Sequence, residues 1–365
     1  MQARTMLKIA QKYESLTRFI PVKFLPFIYS KMRQYFMDKF YRQLIANTSS
    51  IPLNYSDSRI LWGIKFGSGL MNAAGIFKNG EGYDLVAFQG AGGYIGGTST
   101  TNPRSGNIKC GVKLPFISLS KSDIAVNFLG LPNLGDEILS KKLLTTKKVD
   151  GCPIGWSVMR SPDYEEAKSL ELLVQSLFKY QDNLQIDFIE INESCPNVKT
   201  DFSNLDRCLE YIAQNFLVNR SRRLPVIIKL SNDIHLESIP SILDLLFKYR
   251  FDGVNLGNTS TNYSAFHNKI NNPHEKKLFD YFTTTFGGGV SGTVLKSSSL
   301  ELCSKAVNYR NKINPDYEFH VIRTGGIDSM ADIIASNAAG ISLNQWYTGY
   351  FKNYANFGNS LYQNL

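Results

Sequence analysis

The feature that most constrains this chain is a regular alternation of short apolar runs with longer helix-like runs from residue 69 onward. Apolar runs of about five residues are typical of parallel strands that are buried on both faces. Eight such runs, each followed by a helix-like run, predict an α/β fold, the closed (β/α)8 TIM barrel. The alternative is an open doubly wound sheet, but no GxGxxG turn follows the first run. The predicted strands are 69–74, 93–97, 154–159, 187–192, 226–230, 253–257, 319–323 and 341–345.

Composition is consistent with a compact globular protein. The 365 residues are 43% hydrophobic and 19% charged, and no apolar run approaches the ~20 residues of a membrane-spanning helix. The five cysteines form no CxxC pair and no metal-ligand spacing. We therefore expect a reducing compartment, with neither a disulfide framework nor a metal site.

The positive charge is concentrated at the N-terminus. The first 48 residues carry nine lysines and arginines against two acidic residues, a net charge of +7 out of +9 for the chain. Apolar residues recur there at helical spacing, which predicts a basic amphipathic hairpin over residues 1–50, before a barrel domain over residues 51–365. Such a hairpin can lie on anionic lipid, and the alternative is a pair of helices that merely caps the barrel. The two predicted stripes are Met6, Ile9, Ala10, Tyr13, Leu16 and Ile20, then Tyr29, Met32, Phe36, Phe40 and Leu44.

Two further segments are predicted from local composition. Residues 60–66 have the pattern of one strand of a small hairpin that leads into the barrel. Residues 261–287 are predicted to be a long, polar and mobile insertion.

Polar side chains follow the predicted strands, where a barrel places its active site. Carboxamides, hydroxyls and lysines dominate, a lining that suits an uncharged heteroaromatic ring or an anion better than a metal. Glycine-rich turns at 288–292, 325–326 and 347–349 predict a phosphate site, because such turns present backbone N–H groups. After the fourth strand, Cys195 stands between Asn192 and Asn197, which makes its thiol a candidate base. The alternative for Cys195 is a small core hydrophobe.

Taken together, these motifs resemble the dihydroorotate dehydrogenases, flavin (FMN) enzymes of pyrimidine synthesis with a (β/α)8 barrel. The resemblance covers residues 61–351 and rests on segments 73–81, 104–107, 127–133, 192–197, 258–259, 288–292 and 324–327. It implies that Cys195 is the catalytic base. The substrate contacts that it implies are Lys78, Asn127, Gly130, Leu131, Asn192, Asn197, Asn258 and Thr259. The FMN contacts that it implies are Ala74, Gly75, Thr98, Ser157, Asn192, Lys229, Gly292, Gly325, Gly326, Tyr347 and Thr348.

The chain combines features of two classes within that family. Its basic hairpin and Lys78 resemble the membrane-associated class, which has a serine base and passes electrons to quinone. Cys195, Ser157 and residues 130–133 resemble the soluble class, although Gly97 stands where that class has a lysine. The resemblance implies oxidation of dihydroorotate to orotate, with electrons passed to quinone. The expected location is peripheral, on the cytoplasmic face of an inner membrane or on the mitochondrial inner membrane of a eukaryote.

Three other functions stay open at the level of sequence. The first is a soluble-type enzyme of the same family that uses fumarate. The second is a related FMN barrel such as a dihydrouridine synthase, whose basic arm would bind tRNA. The third is a flavin-binding module without catalysis. We expect no nucleic-acid partner, because the arm has an apolar face and the orotate-type asparagines are all present. The oligomeric state is not indicated by the sequence.

Overall fold

The computed structural model describes residues 2–43, 57–193 and 202–365. The described part of the barrel domain begins with a hairpin of β1 (Arg59–Leu61) and β2 (Ile64–Phe66). A hairpin was predicted here, but residues 60–66 contain its turn and parts of both strands and not one continuous strand. Its turn residues, Trp62 and Gly63, have φ angles of 54° and 76°, the left-handed pair that a tight two-residue hairpin turn requires. Trp62 and Phe66 pack against side chains from the barrel strands, so the hairpin closes the amino-terminal end of the barrel.

Eight parallel strands form the centre of the domain, which confirms the predicted barrel and its eight strands. They neighbour one another in chain order, and the ladder is open only between the first two. There the buried Asn72 side chain donates to the Ile95 carbonyl (2.7 Å) and accepts from the Ile95 N–H (3.2 Å), while Gly75 N–H donates to the Gly97 carbonyl. The barrel is therefore nearly closed. Its strands are β3 (Leu70–Asn72), β4 (Tyr94–Ser99), β9 (Ile154–Val158), β10 (Phe188–Asn192), β11 (Val226–Leu230), β12 (Gly253–Leu256), β14 (His320–Thr324) and β15 (Leu343–Trp346).

Helices surround the barrel, each burying an apolar stripe against the strands. Seven of them follow predicted strands, as the alternation in the sequence indicates. These are α3 (Tyr83–Phe88), α5 (Glu166–Asp182), α6 (Phe202–Asn215), α7 (Ile239–Lys248), α10 (Lys296–Ile313), α11 (Met330–Ala338) and α12 (Thr348–Phe357). A short helix α4 (Asp136–Leu139) precedes β9.

A second layer covers the carboxyl ends of the strands. A small hairpin of β5 (Ile108–Lys109) and β6 (Val112–Lys113) leads into an antiparallel sheet in the order β13 (Gly289–Gly292), β8 (Ile124–Asn127), β7 (Phe116–Leu119). This layer has its own apolar core, which includes Ile117, Val126 and Val290.

The prediction of a polar, mobile insertion over residues 261–287 is wrong. The segment forms α8 (Tyr263–His267) and α9 (Pro273–Thr285), and Asn272 caps α9 by accepting from the N–H groups of His274 and Glu275. The prediction overlooked six apolar side chains at helical spacing, because polar residues lie between them in the sequence. They are buried in the core of the second layer: Phe266, Ile270, Leu278, Phe279, Phe282 and Phe286.

The predicted N-terminal helices are present and pack directly on the barrel, although the first ends at Tyr13, before Leu16 and Ile20 of its predicted stripe. Helix α1 (Ala3–Tyr13) is followed by 3-10 turns at Glu14–Phe19 and Val22–Phe24 and by α2 (Leu25–Gln43). Phe40 is fully buried among aromatic rings that include Phe77 and Phe351. Leu44 and the predicted boundary near residue 50 lie outside the described residues. In the part of the chain that the structure describes, no helix is both long and apolar enough to span a membrane.

Candidate active site

A cavity of about 1100 Å³ lies at the carboxyl ends of the barrel strands and continues under the N-terminal hairpin. At one end it is lined by strand-end residues such as Lys229 and Asn192, and at the other by the apolar faces of α1 and α2. Its volume is at or above the upper end of the usual range for one small-molecule site, about 300–1000 Å³. The cavity can therefore hold more than one ligand.

The floor of the cavity is a buried polar network that sequence reasoning missed. Lys229 Nζ lies 3.2 Å from Glu190 Oε1 and 3.0 Å from Gln345 Oε1. Glu190 Oε2 accepts from Asn255 and from Gln345, both at 2.7 Å. All four residues are 2% exposed or less, and a buried charge is tolerated only when it is paired and hydrogen-bonded. The Lys229 cation is therefore fixed in position beneath the cavity.

Most of the predicted site residues are brought together on the cavity wall, whereas Ser157 is not among them. Ser157 is fully buried, and its hydroxyl lies 2.9 Å from the Thr98 hydroxyl, so it can only support that residue. Cys195 and Asn197 lie outside the described residues. The predicted residues on the wall are Ala74, Gly75, Lys78, Thr98, Asn127, Gly130, Leu131, Asn192, Lys229, Asn258, Thr259, Gly292, Gly325, Gly326, Tyr347 and Thr348.

The loop that carries Gly130 and Leu131 is held by side-chain and backbone hydrogen bonds. Arg104 donates to the Gly130 carbonyl (3.2 Å), and Asn133 donates to the Leu131 carbonyl and to the Thr100 hydroxyl, both at 2.9 Å. Gly130 has φ +69°, and a Cβ there would lie 2.2 Å from the Asn107 side chain. Segments 104–107 and 127–133, two of those on which the family resemblance rests, thus form one rigid wall of the cavity.

Two cations face the cavity near its junction with the hairpin. Arg33 of α2 donates to the Tyr347 hydroxyl (3.1 Å) and stacks on Phe116. Burial and, secondarily, the neighbouring Arg33 charge lower the pKa of Lys78 to about 7. An anionic ligand beside Lys78 would offset both effects and hold the ammonium protonated. The pair therefore favours a ligand that carries negative charge or electron-rich oxygens.

Glycine-rich turns form another part of the cavity wall at the carboxyl ends of the strands. Gly325 has φ +115°, and a Cβ there would meet only ordinary contacts at 3.5 Å from Leu295. Within the described residues, the backbone N–H groups of Gly325 and Gly326 donate no hydrogen bond to another protein group. Turns of this kind bind phosphate oxygens at this end of TIM barrels.

An ion-pair network that the sequence did not suggest borders these turns. Lys352 bridges Asp123 (2.9 Å) and Asp328 (2.8 Å), and Lys296 bridges Asp328 (2.5 Å) and Asp332 (3.0 Å). The five residues come from four separate segments, so no local sequence motif predicts the network. They tie α12 and α10 to the turn between β7 and β8.

Fold and site together define a (β/α)8-barrel enzyme with a ligand cavity at the strand ends and a helical cover. The family model described as dihydroorotate dehydrogenase matches residues 58–365, and the chain belongs to that family. The family predicted from the motifs is thus confirmed.

Similar proteins agree with this assignment. The chain is 27% identical over 302 residues to a protein of Nitrosospira multiformis named dihydroorotate dehydrogenase (quinone), covering 80% of this chain and 79% of that one. A protein of the same name from Buchnera aphidicola is 27% identical over 317 residues, covering 83% and 85%. A crystal structure of DHODH from Eimeria tenella in complex with ferulenol has a TM-score of 0.73 at 19% identity, covering 90% and 88%. That similarity supports the fold.

Proposed function

We propose that this chain oxidises dihydroorotate to orotate with bound FMN and passes the electrons to a quinone. The observation that carries the proposal is the single cavity that runs from the polar strand ends to the apolar faces of α1 and α2. A polar ring and an apolar oxidant need different surroundings, and this cavity offers both. The names of the similar proteins support quinone as the oxidant.

The cavity fits FMN by its donor set. The N–H groups of Gly325 and Gly326, which have no partner among the described residues, and the start of α12 would hold the phosphate. Lys229, Asn192 and Thr98 would hold the ring by charge and hydrogen bonds. Bound FMN supplies the two-electron acceptor that none of the protein side chains provides.

The phosphate site can be tested by Gly325→Ala. The added methyl group would occupy space beside these N–H groups and would strain the turn at φ +115°, so we expect FMN affinity to fall by about tenfold or more, about 1.4 kcal/mol. Gly111→Ala is the matched control, since Gly111 also has positive φ (+74°) but has nothing within 4 Å of its missing Cβ. Affinity is measured by titrating the apoprotein with FMN. Equal affinities of the two variants would contradict the phosphate assignment.

Gly326 is unsuitable for the same experiment. A Cβ at Gly326 would lie 2.4 Å from the backbone nitrogen of Lys296. Substitution there would disturb the fold as well as the phosphate site, so lost flavin would not identify the cause.

For the substrate, the carboxamides of Asn127, Asn192 and Asn258 would pair with the polar edges of the ring, together with Asn197 and Thr259. Lys78 would bind the substrate carboxylate or the flavin. Cys195 would take the proton alpha to the ring carbonyl, while a hydride equivalent leaves the neighbouring carbon.

The outer surface of the hairpin fits an anionic membrane. Phe19, Phe24 and Phe27 are 71%, 52% and 48% exposed. Each has a cation over its ring within 6 Å, from Arg18, Lys23 and Lys31 respectively. Exposed aromatic rings with adjacent cations suit the interface between acyl chains and anionic headgroups. These features support a peripheral location on the cytoplasmic face of an inner membrane, or on the mitochondrial inner membrane of a eukaryote.

The proposed function is tested with the purified protein under anaerobic conditions. We expect a yellow protein whose flavin absorbance is bleached by dihydroorotate and restored by a short-chain ubiquinone analogue, but not by NAD⁺ or fumarate. Bleaching by free dihydroorotate distinguishes this function from a tRNA-modifying enzyme and from a non-catalytic flavin protein. Recovery with fumarate at a comparable rate would support the soluble-type alternative instead.

A further inference from the structure

A polar cluster interrupts the mostly apolar wall that the hairpin contributes to the cavity. Glu14, Thr17 and Tyr29 line this wall together with Ser120 from the turn between β7 and β8. Glu14 begins the 3-10 turn after α1, and its Oε1 accepts from the Ser120 backbone N–H at 3.1 Å. This hydrogen bond attaches the hairpin to the second layer and fixes the carboxyl group on the cavity wall.

A second acidic residue, Glu275, binds the same turn as Glu14. Glu275, in the first turn of α9, is 5% exposed and accepts from Lys121 N–H (2.9 Å) and from the Ser122 hydroxyl (2.5 Å). It thereby holds the same turn that presents Ser120 to Glu14. Burial and the Glu275 charge raise the pKa of Glu14 above its ordinary value, against lowering by hydrogen bonds from the Ser120 N–H and the Tyr29 hydroxyl and by the Lys121 charge. The neutral acid form of Glu14 therefore persists to higher pH than that of an exposed glutamate.

The other groups facing Glu14 do not neutralise it as a close ion pair would. Tyr29 of α2 donates a hydrogen bond to Glu14 but carries no charge, since burial and the Glu14 charge raise the Tyr29 pKa. His274 of α9 lies 3.4 Å from the Thr17 hydroxyl. Lys121 is exposed to solvent, where screening weakens but does not remove the effect of its charge on Glu14. No Lys or Arg within the described residues forms a salt bridge with Glu14.

We propose that Glu14 binds a carbonyl oxygen of the apolar oxidant by donating a hydrogen bond from its protonated carboxyl group. This inference rests on the proposed function and names the group that selects a carbonyl-bearing oxidant over a plain hydrocarbon. The neutral acid offers an O–H donor, whereas the carboxylate offers only acceptors and repels a carbonyl oxygen. Oxidant affinity is therefore present below the Glu14 pKa and is lost as the pH rises through it.

The test measures direct binding of decylubiquinone to the oxidised, full-length holoprotein by quenching of its fluorescence, without dihydroorotate. The wild type should bind about three- to tenfold more weakly above the Glu14 pKa than below it, the value of one net hydrogen bond. Glu14→Gln keeps an N–H donor at every pH, so its affinity should be independent of pH and should exceed that of the wild type at high pH. Glu14→Leu should bind weakly at every pH.

Two further variants separate this role from a structural one. Lys121→Met removes a charge that lowers the Glu14 pKa, so the midpoint of the binding profile should move to higher pH while low-pH affinity is kept. Glu171→Gln, on the outer surface of α5, is the matched control and should change nothing. Identical pH profiles for wild type and Glu14→Gln, or full affinity in Glu14→Leu, would overturn the inference. A failure of the proposed function would show differently, as bleached flavin that no quinone reoxidises.

Discussion

Replacement of Cys195 by alanine is expected to slow flavin bleaching by dihydroorotate by about 10²- to 10⁴-fold, the usual contribution of a general base. Cys195 itself lies outside the described residues, but the chain that leads to it is well fixed. Glu193 N–H donates to the Lys229 carbonyl (2.9 Å), and Arg160 pairs with both Glu193 carboxylate oxygens at 3.1 and 2.7 Å. The segment therefore leaves β10 beside the cavity floor, where a base must act.

The pH dependence of that step gives a second readout. A thiol acts as a base only when deprotonated, and its ordinary pKa is about 8.5. The bleaching rate of the wild type should therefore rise with pH through that range, whereas the residual rate of Cys195→Ala should not. Cys110→Ser, at an exposed cysteine in the turn between β5 and β6, is the matched control and should behave as wild type. Wild-type bleaching by Cys195→Ala would exclude Cys195 as the base.

The sequence predicted the barrel because its strands are buried on both faces. In β11, Val226–Leu230, all five residues are buried and four of the five are apolar, a pattern typical of a parallel strand. The prediction of a mobile insertion over residues 261–287 was wrong because polar residues obscured the apolar pattern of its helices. The apolar residues of α9 alternate with lysines, threonines and an aspartate, so composition suggested a loop although the helical spacing was there.

The site was predictable where residues follow a strand within a motif, and not where distant residues meet. Lys78 and Gly325, which line the cavity, were predicted from the sequence motifs at 73–81 and 324–327. Glu190 was missed because its carboxylate points into the barrel from the middle of an apolar strand, and only the register of β10 with β11 brings it to Lys229. The Glu14 cluster likewise depends on the hairpin packing against α9 and the second layer.

Membrane binding is expected to depend on the exposed aromatic residues of the hairpin. Deleting the hairpin would be a poor test, because Leu25 and Phe40 are buried and their removal would expose apolar surface of both layers. The triple change of Phe19, Phe24 and Phe27 to serine leaves that packing intact. About half of each ring is available for insertion, worth roughly 1 kcal/mol per ring, so binding to vesicles should weaken on the order of a hundredfold.

The salt dependence of binding and a comparison of membrane-bound with soluble quinone provide the controls for this experiment. Each basic residue near anionic lipid adds about 1 kcal/mol, so binding of the wild type should weaken as salt rises. The triple variant should reduce a long-chain quinone in vesicles slowly but soluble decylubiquinone at the wild-type rate, because the cavity itself is unchanged. Val218→Ser, at a 77% exposed position remote from the hairpin in sequence, should affect neither rate. Undiminished reduction of the membrane quinone by the triple variant would mean that α1 and α2 serve as a cover for the cavity and not as a docking surface.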